Sequence, residues 1–345
     1  MNIYDFADML SKSRIEIRLD MGQPDLKVPE EILKATKNAL NKGKTRYTPS
    51  SGIQELKEAI AEKYEKDEEN VVVTCGGKFP ITATIFHSKK VLIIQPCWSN
   101  YLYCLKTFSK KFEIVRTKFE DFWIPNFDVL DKSFDLVIIN YPNNPTGVNL
   151  PKEKFKELVD LCQDYEIKIL SDEVYRDMSF SNTNSILDFD CDSVFVHSFS
   201  KTFSMTGFRL GYAISSKEFV KKILKFQQIT NTCPADFVQH GALMAFEIYD
   251  IVSERVRKIY YERKKVAERT LRNRFEFVPV DGTFYIFPKI PIDSMVFVEK
   301  LLKKGVSVFP GKAFGGYNNF FRISLVSERI EKALLRMEEV LCELE

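Results

Sequence analysis

The chain has 345 residues, too many for one small core and enough for two compact lobes or one large α/β unit with an appendage. Its 50 basic and 48 acidic side chains nearly cancel, leaving a formal charge of +2 and no electrostatic reason to expect nucleic acid or an anionic membrane as partner. Seven scattered cysteines without a C-x-x-C pair, and three histidines without metal-ligand spacing, argue against a disulfide framework, a zinc ribbon or a histidine-rich metal site.

The N-terminal stretch MNIYDFADMLSKSRIEIRLDMG already carries acids and lacks the apolar core and cleavage site of a signal peptide. No run approaches the roughly 18 apolar residues of a membrane span, so a cytoplasmic protein is expected. Residues 28–43, VPEEILKATKNALNKG, read as a helix with proline near its start and glycine at its end. Short β-branched runs then predict buried strands at 70–75, 90–96, 134–142, 165–173 and 192–200. Between them, 151–165 has Phe155, Leu158, Val159 and Cys162 on one helical stripe. Strands alternating with helices at this spacing imply an α/β fold with a mostly parallel sheet covered by helices on both faces.

After residue 246 the pattern changes. Residues 247–273 form one charge-laced amphipathic segment, and 282–290, 305–311 and 320–326 read as strands of a second, smaller sheet. The expected division is an N-terminal arm over 1–40 shared with a small α+β domain, a large domain over 41–255, and a C-terminal domain over 256–345.

Parallel sheets bind ligands beyond the carboxyl ends of their strands. NYPNNPTG, SDEVY and HSFSKTFSMTGFRLGY all follow strands there. Taken singly each has an ordinary explanation. NNPTG is a good turn, Asp172 could cap a helix, Lys201 could be solvated, and His87, His197 and His240 could be structural. Arg322, inside the apolar FFRISLV, is less ordinary, because a buried guanidinium needs an anionic partner.

Taken together, the blocks DMGQPDLKVP, RYTPSSGIQELKEAI, VVVTCGGKFP, QPCWSNY, NYPNNPTG, SDEVY, HSFSKTFSMTGFRLGY, VDGTFYIFPKI, VFPGKAFG and FRISL resemble, in order, the fold-type-I pyridoxal-phosphate aminotransferases of class I/II. The sharpest element is serine-x-serine-lysine with an arginine eight residues after the lysine. A mostly parallel sheet of seven-stranded type is what this resemblance implies. The resemblance implies that Lys201 binds pyridoxal 5'-phosphate covalently and then moves the substrate proton. It implies that Asp172 holds the pyridine nitrogen protonated, and that Tyr175 and Asn144 donate to the phenolic oxygen.

For the phosphate, the resemblance points to Gly76, Gly77 and Lys78 at a helix start, with Ser198 and the forked Arg209. Glycine and lysine at 76 and 78 depart from the hydroxyl residue frequent there. Tyr47 corresponds to a tyrosine that reaches the phosphate of the neighbouring subunit, implying a homodimer. Trp98 would stack on the ring, while Arg322 and Gly22 would enclose the substrate carboxylate.

The function implied is transfer of an amino group between an amino acid and a 2-oxo acid in a ping-pong cycle, with aspartate- or aromatic-like substrates. A histidinol-phosphate-type aminotransferase, and a lyase carrying out β-elimination or decarboxylation on the same scaffold, remain alternatives. A dicarboxylic substrate would need a cation near its side chain, for which Arg14, Arg18 and Arg46 are candidates.

Overall fold

The computed structural model describes residues 3–181 and 184–344. Its strands are β1 (Ile17–Arg18), β2 (Val71–Thr74), β3 (Lys90–Gln95), β4 (Lys111–Arg116), β5 (Leu136–Asn140), β6 (Lys168–Asp172), β7 (Ser193–Ser198), β8 (Gly211–Ser215), β9 (Tyr285–Ile286), β10 (Val306–Ser307), β11 (Phe309–Pro310) and β12 (Phe321–Ser324). Seven of them form one sheet in the order β2-β8-β7-β6-β5-β3-β4. Every pairing in it is parallel except those of β8, which runs antiparallel to β2 and β7. The sheet class expected from the sequence is therefore the one observed.

The central strands read as unbroken apolar runs because helices cover both faces and leave no side for water. All of LVIIN in β5 and VVVT in β2 is buried. Each fully buried Val, Leu or Ile stabilises the fold by about 1.5–3 kcal/mol relative to exposure. The helix Lys152–Asp164 buries the predicted stripe of Phe155, Leu158, Val159 and Cys162.

The smaller sheets differ from the expectation of a single one. Strands β11, β12 and β9 make a three-stranded antiparallel sheet, while β10 pairs in parallel with β1 of the N-terminal arm. The charge-laced segment expected over 247–273 is helical only from Tyr249 to Leu271, because Glu247 ends the preceding helix Asp236–Glu247. The strand expected over 192–200 stops at Ser198, where the Ser198 hydroxyl accepts from Ser200 N and starts a helical turn, Phe199–Thr202.

Register places the chemistry. Asn140 at the end of β5 pairs with Asp172 at the end of β6, and Asp172 pairs with Val196 of β7. Gly211 opens β8 between Thr74 and Ser198. The carboxyl ends of β2, β5, β6 and β7 thus share one edge, beside which β9 and β12 hold Tyr285 and Arg322.

Candidate active site

A cavity of about 390 Å³ opens at that edge. Of the residues singled out in the sequence, Gly22, Gly77, Lys78, Trp98, Asn144, Asp172, Tyr175, Ser198, Lys201, Arg209 and Arg322 line it. Gly76 stands just behind, where a Cβ would lie 2.6 Å from Arg209 Nη2. Tyr47 does not line the cavity and is 86 % exposed.

Lys201 projects from the short helical turn after β7, so the lysine is on a turn rather than on the strand itself. Its Nζ donates to Gly22 O at 2.5 Å. Burial, with Arg322 next and Arg209 after it, pushes the amine down to about 8, against the opposing pull of Asp172. About a tenth of it is therefore uncharged at pH 7, against less than about a thousandth for an exposed lysine.

Asp172 is buried, and burial raises its carboxyl to about 6. Hydrogen bonds oppose that rise: Tyr101 Oη donates to Oδ2 at 2.6 Å and Val174 N to Oδ1 at 3.4 Å. Beside it, Asn140 Nδ2 donates to Asp172 O at 2.7 Å while its Oδ1 accepts from Asn144 N at 3.0 Å. The turn NNPTG also bonds within itself, with Asn143 Oδ1 accepting from Thr146 N and Oγ1. Turn and site are thus two properties of one segment.

At the other end of the cavity the helix Lys78–His87 begins at Gly77 without a side-chain cap. An uncapped helix start presents backbone N–H groups to an anion. Arg209 lies on the same side in the left-handed region, φ 54°, with Nη1 donating to Thr206 O at 2.8 Å. Such a backbone is uncommon for arginine. The Lys78 amine is 5.9 Å from the centre of the Trp98 ring.

Arg322 is buried on β12. Its Nη1 donates to Asn144 Oδ1 at 2.8 Å and its Nη2 to Asp20 O at 2.5 Å. Buried Nε finds no partner among the described residues. None of the acceptors is a carboxylate, so the guanidinium charge is left for an anionic ligand. Arg18 pairs with Asp20 at 2.8 Å and does not line the cavity. Arg14 and Arg46 are exposed and do not line the cavity.

These features fit a phosphorylated pyridine: an uncapped helix start with an arginine at one end, a buried carboxylate at the middle, and an amine facing it. Sequence reasoning did not single out Tyr101, Asn140 or Tyr285. Tyr101 reads in sequence as ordinary core, and Asn140 becomes the partner of Asp172 only through the strand register. His197 is structural: Nδ1 contacts Glu173 O at 2.9 Å and Nε2 lies 3.2 Å from Asp177 Oδ2, on the far side of β7 from Ser198.

Residues 14–336 match the family described as aminotransferase class I and II. An aspartate aminotransferase of Thermococcus kodakarensis is 42 % identical over 100 % of this chain and 94 % of its own. An aromatic-amino-acid aminotransferase of Thermococcus litoralis is 35 % identical over 95 % and 92 %. Among solved structures, an aspartate aminotransferase of Thermotoga maritima superposes with a TM-score of 0.91 at 32 % identity, covering 98 % of this chain and 95 % of that one. Lysine, aspartate and arginine around one cavity, on a sheet shared with these enzymes, have a common explanation: the chain belongs to the class I and II aminotransferases.

Proposed function

We propose that this transaminase uses pyridoxal 5'-phosphate, seated in the cavity described above. The observation that carries the reading is the convergence of the Lys201 amine, the Asp172 carboxylate and the Arg322 guanidinium on that cavity. Bound there, the cofactor supplies an aldehyde for Lys201 and a ring that accepts electrons from the substrate. Asp172 keeps the ring nitrogen protonated, and Tyr101 orients the carboxylate from behind.

Tyr175 and Asn144 serve the phenolic oxygen, and Trp98 covers one face of the ring. Backbone N–H groups at Gly76, Gly77 and Lys78 hold the phosphate together with Ser198 and Arg209. Arg322 grips the α-carboxylate of the amino acid with Gly22 closing over it. With the cofactor bound, the Lys201 amine would be the base that moves the proton from the substrate Cα to the carbon that bore the cofactor's aldehyde.

The protein is read as a cytoplasmic homodimer in which Tyr47 of the partner subunit reaches the phosphate. Tyr47 lies away from this chain's own cavity and is 86 % exposed, so it is free to reach the cavity of a second copy. Among the described residues no helix is long and apolar enough to cross a membrane.

Substrates are read as aspartate or aromatic amino acids, with a 2-oxo acid as acceptor. The cations of this chain that line the cavity are Lys78, Lys201, Arg209 and Arg322, while Met21, Phe309 and Phe314 add apolar wall. A panel of L-aspartate, L-phenylalanine, L-tyrosine, L-alanine and histidinol phosphate against 2-oxoglutarate tests the choice. The expected result is a kcat/KM for aspartate or an aromatic donor at least about tenfold above alanine. Preference for histidinol phosphate would overturn it.

A further inference from the structure

Tyr285 is buried on β9 and lines the cavity between the two walls that carry Tyr175 and Arg322. Its hydroxyl lies 2.9 Å from the Tyr175 hydroxyl, and either can donate. The Arg322 guanidinium carbon lies 4.3 Å from the centre of its ring. A Cβ built on Gly22 would meet Tyr285 Oη at 2.0 Å and Lys201 Nζ at 3.8 Å, so hydroxyl and amine flank the same point. That close approach is why position 22 has no room for a side chain.

The ring is fixed from both sides. Ser324 of β12 pairs with Tyr285 in the antiparallel register, which sets Arg322 diagonally across on the same face. On the other side, Tyr285 O abuts Gly147 of the NNPTG turn, and Asp281 N and Gly282 N both donate to Gly147 O at 2.9 Å. Tyr285 therefore cannot move without disturbing both Arg322 and the Asn144 turn.

We infer that Tyr285 is a positioning residue of the transamination site with two separable jobs: its ring seats the Arg322 guanidinium, and its hydroxyl directs the proton of Tyr175. The inference rests on the reading of this cavity as the cofactor site. A Tyr175 hydroxyl whose proton goes to the cofactor's phenolic oxygen keeps its own oxygen as an acceptor. Tyr285 is the donor placed to fill it. Accepting that bond strengthens the outgoing one, since linked hydrogen bonds polarise each other. A stronger donor at the phenolic oxygen favours the unprotonated chromophore and lowers its protonation midpoint. Burial raises the Tyr285 hydroxyl above the ordinary range, so it stays a neutral donor through the working pH range.

The two jobs are tested on the purified holoenzyme with Tyr285→Phe and Tyr285→Leu. Tyr285→Phe keeps the ring and loses the hydroxyl. The visible absorbance of its cofactor, titrated with pH, should show a midpoint raised by about half to one pH unit, with the KM for the amino donor within about twofold of wild type. Tyr285→Leu loses both, and should raise that KM by roughly threefold to thirtyfold while cofactor content per subunit is retained. An unchanged midpoint in Tyr285→Phe, or an unchanged KM in Tyr285→Leu, would overturn the inference. A wild-type protein that takes up no cofactor would instead overturn the reading of the cavity itself, and the two failures are distinguishable.

Discussion

At Lys201 the surroundings decide the chemistry. Removing an amine from water and setting Arg322 and Arg209 nearby brings it to about 8, whereas an exposed lysine titrates near 10.4. The sign for stability follows. A lysine depressed in the folded state costs stability below about 8, and that cost fades as pH rises towards the unfolded value. The same shift governs cofactor capture, because only the uncharged amine attacks an aldehyde. The rate at which apoprotein takes up pyridoxal 5'-phosphate should rise with pH through a midpoint near 8. Asp172→Asn should lower that midpoint, since Asp172 is the group that raises the amine. A midpoint near that of free lysine would contradict the assignment.

Legibility in the sequence came by two routes, a charge where the pattern demands an apolar residue and a place in an ordered series of blocks. Arg322 stood out by the first, whereas Lys201 and Asp172, each with an ordinary explanation taken singly, became legible only through the ordered blocks that resemble the aminotransferases. Tyr101 and Tyr285 were not singled out, because a tyrosine in an apolar run also reads as ordinary core. Their hydroxyls find Asp172 and Tyr175 only across 71 and 110 residues of sequence, a distance no local pattern spans.

Among the elements, the start of β8 is the point of the site hemmed in by backbone rather than side chains. A Cβ on Gly211 would stand 2.5 Å from Gly77 N, 2.8 Å from Gly76 C and 2.9 Å from His197 O. All three are backbone atoms, so no side chain can rotate away to relieve the contact. Gly211→Ala should displace the loop at 76–77 and weaken cofactor binding at least tenfold, about 1.4 kcal/mol, as measured by equilibrium titration of the apoprotein. Unchanged affinity would show that this loop does not hold the phosphate.

The strands that sequence reasoning found are the buried ones, whose apolar runs stand out. It did not isolate β4 or β8. Strand β4, KFEIVR, lies at the sheet edge with every residue exposed or half-buried and three of the six charged, so it lacks the buried signature. Strand β8 begins within a block read for its lysine and arginine. The strand boundary at Ser198 was missed for a different reason: the hydroxyl that begins the turn looks, in sequence, like another strand residue.

At the scale of the molecule, small and large sheets meet at one cavity, and each supplies part of what a transaminase needs. The large sheet carries Lys201, Asp172 and the helix start at Gly77. Arg322 and Tyr285 come from the small three-stranded sheet. The sequence order of these pieces was readable, but not the separate pairing of β1 with β10, since two-residue strands leave no periodic trace. The central claim is that Lys201 moves the proton by which the substrate's amino group passes to the cofactor in half a transamination. It is tested most directly by mixing holoenzyme with L-aspartate alone, without oxo acid, and with an aromatic donor in parallel. The account predicts that the cofactor absorbance passes to the pyridoxamine form with one equivalent of 2-oxo acid per site, and that Lys201→Ala does neither. Continuing release of ammonia, or conversion by Lys201→Ala at the wild-type rate, would contradict it.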